Sequence, residues 1–199
     1  MQTSGLSVGV DLAGVSHRST GMAVMGKNTR RAEHTIRHTD EEILDYVRQY
    51  APAIIVIDAP LSMPKGRTSL ETRSNVHFRE CDRVLARRHV KFFPITLGPM
   101  RKLTARGIEI ANLLRSSGYN VFEGYPGAAQ DILNIPRKGK GIAALANGLR
   151  SLDIEFDDKA SHDELDAITC AFVGIMHLKG RSELIGSKDE GQILLPSAN

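Results

Sequence analysis

Cysteines are few and long hydrophobic runs are missing from this 199-residue sequence. Two cysteines, Cys81 and Cys170, cannot build a disulfide framework. No apolar stretch approaches the roughly 18 residues of a membrane span. The N-terminus has no basic segment followed by an apolar stretch, as a secretory signal would. We therefore expect a cytoplasmic protein with no membrane partner.

The charge of the chain is unevenly placed. Apolar residues make up 41% and charged residues 25%, which is ordinary for a globular protein with a sizeable core. Between Lys65 and Arg106 there are eleven Lys or Arg and three Asp or Glu, so this segment carries a charge of +8. The net charge of the chain is +3, so the rest of the chain carries −5. A basic segment on an acidic body indicates a polyanionic partner such as nucleic acid, although a solvated helix face has the same pattern.

Two strand patterns in the first sixty residues end in aspartate. Residues 6–12 contain Asp11, and the apolar residues 53–57 lead into Asp58, as is typical of a parallel strand buried on both faces. Between them the pattern predicts two meander strands, residues 20–25 and 31–38, and a helix that opens with a Thr39/Glu42 capping box. Because parallel strands end at one edge of a sheet, we expect the two aspartates to converge.

A helical insertion is predicted at about residues 61–118. Its helix at residues 75–88 places Arg79, Arg83 and Arg87 at a spacing of four. That face can contact phosphates, but it equally permits glutamate partners or solvation. A second helix is expected at residues 100–116.

A fifth strand at residues 119–126 again ends with an acid, Glu123. Helices follow at residues 128–133 and 142–152. The linker between them offers Lys138 and Lys140 as phosphate contacts, although it lacks the spacing of a P-loop. The tail from residue 182 is expected to form a small hairpin or to pack on the body.

The last helix, residues 161–177, carries two acids on one stripe. Asp163 also suits the helix N-terminus, whereas Asp166 lies deeper in a helix that is apolar almost all round. His162 borders the stripe, where it can relay a proton or simply face solvent.

Five acids therefore lie at element ends or on one helix stripe. Carboxylates gathered at one point repel each other unless cations join them, and oxygen ligands select Mg²⁺ or Mn²⁺. Two such ions can activate a water and stabilise the leaving oxygen of a phosphodiester. The catalytic candidates are Asp11, Asp58, Glu123, Asp163 and Asp166.

Motifs over nearly the whole chain resemble a known family. They are Gly9-Val-Asp-Leu-Ala-Gly14 with Thr20-Gly21, Ile57-Asp-Ala-Pro-Leu61, Arg79-Glu-Cys-Asp-Arg83, Phe93-Pro94, Glu123-Gly-Tyr-Pro126 and His162-Asp-Glu-Leu-Asp-Ala167. Together they resemble the family of predicted nucleases with an RNase H-like fold. The last motif is also similar to the closing helix of Holliday-junction resolvases.

The resemblance implies a single α/β domain over residues 1–199. It would be an RNase H-like mixed five-stranded sheet flanked by helices, with the insertion after the fourth strand. By motif it nominates Asp11, Asp58 and Asp166 as ligands of two metal ions, with Asp163 beside them. Glu123 belongs to the family's own pattern and gains no role from the resolvases.

Three readings of the function remain open from the sequence. The first is a metal-dependent nuclease acting on DNA or RNA. The second is an ATP-dependent phosphotransferase of the actin and sugar-kinase type, although its paired glycine loops are poorly matched here. The third is a non-catalytic nucleic-acid-binding protein. A Ser16/His17 nucleophile is disfavoured because adjacent residues rarely form such a pair, and the sequence leaves monomer and homodimer open.

Overall fold

The computed structural model describes residues 4–197, which form an α/β fold around one mixed sheet. The sheet has seven strands in the order β3-β2-β1-β4-β5-β7-β6, so the predicted number of five was wrong. The strands are β1 (Ser4–Asp11), β2 (Thr20–Gly26), β3 (Ala32–Arg37), β4 (Pro52–Asp58), β5 (Val121–Gly124), β6 (Ser182–Ser187) and β7 (Gly191–Pro196).

The two additional strands come from the C-terminal tail. β6 and β7 pair as an antiparallel hairpin, and β7 also pairs in parallel with β5. The sequence predicts that this tail forms a hairpin or packs on the body, but does not predict its place in the sheet. Residues 1–3 and 198–199, at the ends of the predicted domain, lie outside the described residues.

Six helices surround the described part of the sheet. They are α1 (Asp40–Tyr50), α2 (Glu80–Arg87), α3 (Gly98–Ser116), α4 (Pro126–Ile132), α5 (Ile142–Ser151) and α6 (His162–Leu178), with a 3-10 turn at Lys138–Lys140. Both predicted capping boxes are present, at the start of α1 and at the start of α6. Residues 4–197 contain no helix with the length and apolar character needed to cross a membrane.

The helix predicted at residues 75–88 is shorter than expected. It begins at Glu80, because Arg79 has an extended backbone and donates its N–H to the Asp82 carboxylate (2.8 Å). The insertion therefore consists of α2 and α3 joined by long irregular segments.

The register of the central strands brings two acids to one edge. β1 is antiparallel to β2, as the predicted meander requires, and parallel to β4. Asp11 lies opposite Asp58, and both are the last residues of their strands. The predicted convergence of the two aspartates is confirmed at the backbone level.

Helix α6 lies unusually close to β1. A Cβ atom added to Gly9 would lie 2.0 Å from the Ala167 carbonyl oxygen and 2.3 Å from the Ala171 nitrogen. A Cβ on Gly174 would lie 2.1 Å from Ser7 Oγ. The missing side chains let the helix axis approach the sheet and bring Asp166 beside the ends of β1 and β4.

Candidate active site

A cavity of about 440 Å³ opens at the carboxyl ends of β1 and β4. Asp11, Asp58 and Asp166 line it together with Glu123. Asp163 lies in an adjoining cleft, which it shares with Asp11 and Lys138. Four of the five acids proposed from the sequence thus border one cavity, and the fifth borders its neighbour.

Burial and the neighbouring negative charges make Asp11 and Asp58 hard to ionise. Burial raises the pKa of Asp11 to about 7; the nearby Lys138 ammonium opposes this, while Asp166 and Asp163 add to it. Burial also raises the pKa of Asp58 well above its usual value, and the charges of Asp11 and Asp166 act in the same direction. The cluster therefore favours any cation that can approach it.

Asp166 is the most enclosed of the three acids, at 2% exposure. Gln130 Nε2, from α4, donates to its Oδ1 (2.8 Å) and also reaches Thr169 Oγ1 (3.3 Å). Gln130 could not be recognised from the sequence, because a single glutamine in a short helix has no pattern that marks it.

The cation at this site is a lysine from the chain itself. Lys138 Nζ lies 2.7 Å from Asp166 Oδ2 and 3.8 Å from Asp11 Oδ2. Burial opposes its charge, but these carboxylates outweigh burial and raise the pKa of Lys138. The sequence predicts Lys138 and Lys140 as phosphate contacts. Lys138 contacts the acids and Lys140 is exposed, and contact of either with a phosphate stays a prediction.

The donor chemistry of the cluster fits a divalent ion. Asp11, Asp58 and Asp166 supply only carboxylate oxygens, and one ammonium faces three acids. Within residues 4–197, no three His, Cys, Asp or Glu side chains stand in a geometry that already suits a metal. The Lys138 ammonium thus stands in for the positive charge that an ion would bring.

Glu123 and Arg79 form a buried ion pair in the wall of the acid cavity. Arg79 Nη1 and Nη2 donate to the two Glu123 oxygens (2.6 and 2.8 Å), and Nη2 also donates to Asp82 Oδ1 (2.9 Å). The Leu61 N–H donates to Glu123 as well (2.8 Å). Arg79 is 2% exposed and its guanidinium is held by two carboxylates, and its contact with a phosphate stays a prediction.

The other two arginines of the predicted basic face lie on the surface of α2. Arg87 Nη2 donates to Glu80 Oε1 (2.9 Å), and Arg83 Nη1 lies 3.4 Å from Glu80 Oε2 and 3.6 Å from Glu190 Oε2. Neither lines the acid cavity. The arrangement is the glutamate pairing that the spacing also permitted, and contact with a phosphate stays a prediction.

The two candidate residues at the start of α6, His162 and Asp163, do not line the acid cavity. Ser19 Oγ donates to Asp163 Oδ2 (2.5 Å), which fixes that carboxylate at the rim. His162 lines neither the acid cavity nor the adjoining cleft. Its proposed proton relay stays a prediction without a contact to the acids.

Two comparisons with solved structures concern the fold. The structure described as T. thermophilus RuvC in complex with Holliday junction substrate is 11% identical, with a TM-score of 0.54, and the match covers 88% of this chain and 96% of that one. A second, the Thermus thermophilus RuvC structure, is 14% identical with a TM-score of 0.48 over the same shares. The first likeness shows that this chain has a RuvC-like fold.

Sequence comparison places the chain in a family. No functionally curated protein matches it. The model of one family matches residues 9–191, which include the acids of the cavity and the Lys138 loop. The chain belongs to the family described as "Protein of unknown function (DUF429)".

Proposed function

We propose that this protein is a divalent-metal-dependent nuclease that hydrolyses phosphodiester bonds of DNA or RNA. The observation that carries the proposal is the meeting of Asp11, Asp58 and Asp166 in one cavity from positions far apart in the sequence. Carboxylates crowded against their own repulsion are the usual holders of Mg²⁺ or Mn²⁺. The RuvC-like fold supports the same reading.

The three aspartates would hold the ion or ions. When bound, Mg²⁺ or Mn²⁺ supplies Lewis acidity and lowers the pKa of an attacking water. Gln130 fixes the orientation of the Asp166 carboxylate, since it donates to Oδ1 and leaves Oδ2 for a cation. A titration with Mn²⁺ counts the ions that the three aspartates hold.

Lys138 has a role in both states of this proposal. With no metal, its ammonium neutralises Asp166 and Asp11. Gly139 and Gly141 follow it, and a Cβ on either would meet no atom within 4 Å, so no neighbouring group packs against these positions. Once the acids hold a metal, the released ammonium is placed to pair with a substrate phosphate.

The test is a panel of labelled single-stranded, duplex and branched DNA and RNA, with Mg²⁺, Mn²⁺ or EDTA. We expect cleavage with either ion and none in EDTA. Asp58→Asn and Asp166→Asn should lower the rate at least about 100-fold, because each removes a ligand of a group that supplies several kcal/mol. Asp189→Asn, at an exposed surface acid, is the matched control.

Metal binding can be measured separately from cleavage. Calorimetric titration with Mn²⁺ should give one or two sites per chain, weakened in Asp166→Asn and unchanged in Asp189→Asn. Cleavage that survives both active-site substitutions would refute the assignment of the site. Nucleotide hydrolysis without cleavage of any nucleic acid would favour the ATP-dependent alternative.

A further inference from the structure

A second groove opens beside the acid cavity. It has a volume of about 620 Å³ and is lined by residues 86 and 89–93 together with Tyr125 and Arg137. Phe92, Phe93, Tyr125 and Arg137 line both spaces, so the two are continuous. We call this second space the aromatic groove.

One ring in the aromatic groove is largely exposed to solvent. Phe93 is 69% exposed, the most exposed large hydrophobic side chain of residues 4–197. Its neighbour Phe92 packs edge-to-face on Phe78, with ring centroids 5.9 Å apart. Phe93 thus presents an exposed aromatic face beside the acid cavity, where a ligand ring could stack on it.

The charge of the aromatic groove matches a polyanion. Its lining carries His89, Lys91 and Arg137 and includes no Asp or Glu among the described residues. Arg137 is already bidentate to Asp131, so its charge is partly offset, whereas Lys91 is exposed. Aromatic faces interleaved with cations are the usual surface for single-stranded nucleic acid, because bases stack on the rings while cations follow the backbone.

The acids are largely buried in their cavity. Asp166 is 2% exposed and the Asp11 side chain 13% exposed. The walls of the cavity also include apolar side chains of the insertion, namely Phe92, Phe93 and Met100. A paired, stacked strand presents phosphates and no free base faces, whereas an unpaired nucleotide can place its base on these walls and its phosphate at the acids.

We propose that the substrate strand reaches the acids unpaired, with a base stacked on Phe93 and its backbone beside Lys91 and Arg137. This deepens the proposed nuclease function and rests on it for the chemistry. The binding mode itself stands on the aromatic groove and can be tested without cleavage.

The experiment measures binding in EDTA, where Lys138 offsets the acids and no metal-dependent cleavage occurs. Fluorescence anisotropy would follow labelled single strands of about 12 nucleotides, a length within usual site sizes, in DNA and RNA arms, against the same sequences as blunt duplexes. We expect the single strands to bind at least about tenfold tighter than the duplexes.

Variants connect this preference to the aromatic groove. Phe93→Ala should weaken single-strand binding about tenfold, since it removes one stacking platform. Leu113→Ala, another exposed apolar residue outside the groove, should leave it unchanged. Lys91→Ala should reduce the salt slope of binding by about one, and Lys27→Ala, at the opposite edge of the sheet, should not.

The possible failures are distinguishable. Equal or tighter binding of the duplex, or unchanged binding in Phe93→Ala, would overturn the inference even if the enzyme cleaves. Absence of cleavage with any metal would refute the nuclease, while the preference for single strands would still be measured. Phe93 and Lys91 are exposed, so loss of folding does not obscure either result.

Discussion

At the scale of single residues, the most consequential side chain outside the acid cluster is Arg79. It is buried with both neighbouring carboxylates, Glu123 and Asp82, bound to its guanidinium. Glu123 in turn accepts the backbone N–H of Leu61, just after the strand that ends in Asp58. The pair thus links the insertion to the strands of the active site.

Arg79→Ala should destabilise the fold by about 3–5 kcal/mol, because it leaves two buried carboxylates without their partner. Arg83→Ala, which removes a half-exposed arginine of α2, should change stability by less than about 1 kcal/mol. Urea unfolding followed by circular dichroism measures both. If Arg79→Ala were as stable as the wild type and only bound nucleic acid less well, the structural role would be wrong.

Asp11→Asn should stabilise the metal-free protein at high pH. The pKa of Asp11 is raised in the fold to about 7, so its ionisation favours the unfolded chain. The free energy of unfolding of the wild type should therefore fall as the pH rises from about 4 through 7, because Asp11 ionises more readily in the unfolded chain. The variant lacks this group and should not show that loss.

Thermal melts in EDTA at pH 4 and pH 8 check this sign. The two proteins should melt alike at pH 4, and at pH 8 the variant should melt at least about 2 °C higher, the shift given by about 1 kcal/mol in a protein of this size. A lower melting temperature for the variant at pH 8 would show that Lys138 overcompensates burial.

At the scale of elements, the sequence was sufficient where hydrophobic pattern and capping agree. The strands that end in Asp11 and Asp58 and the capped helices α1 and α6 were all predicted, because their signals are local. The predicted start of α2 was wrong, because the tertiary pairing of Arg79 holds the backbone of Arg79 in an extended conformation. β6 and β7 were not placed in the sheet, because pairing with β5 is a long-range contact.

The packing of α6 on β1 gives a prediction at this scale. Gly9→Ala should destabilise the protein by about 3 kcal/mol or more, since its Cβ would clash with the backbone of Ala167 and Ala171. Gly139→Ala adds the same methyl group where nothing lies within 4 Å and serves as the control.

Thermal unfolding compares the two glycine variants. We expect the fraction of the Gly9→Ala variant that stays folded to bind Mn²⁺ more weakly than the wild type does. The reason is that any shift of α6 moves Asp166 away from the strand ends. A Gly9→Ala protein with the stability of the control would contradict the close approach of helix and strand.

At the scale of the whole molecule, the sequence located the acids but not their surroundings. Parallel strands share an edge, so Asp11 and Asp58 were expected to meet, and the helical stripe identified Asp166. The positions of Gln130, Lys138 and Phe93 depend on how α4 and two loops fold over that edge. No local pattern encodes such loop placement, and the aromatic groove was therefore missed.

The C-terminal hairpin joins the insertion to the sheet through the Arg88–Glu183 ion pair and through Glu190. The carboxylate of Glu190 accepts the backbone N–H groups of Lys65 (2.8 Å) and Glu80 (2.7 Å), and Ser62 Oγ donates to its carbonyl (2.6 Å). The side chain is mostly buried, so both bonds form out of bulk water. These contacts tie both ends of the irregular segment between β4 and α2 to the turn between β6 and β7.

Glu190→Ala should therefore loosen a distant segment while the sheet stays intact. Two hydrogen bonds to a charged acceptor are lost, so we expect a destabilisation of about 2–4 kcal/mol and faster amide exchange across residues 61–80. Asp189→Ala, at the neighbouring exposed acid, should change neither. Hydrogen–deuterium exchange with peptide resolution measures both variants, and acceleration confined to β6 and β7 would show that the hairpin does not fasten the insertion.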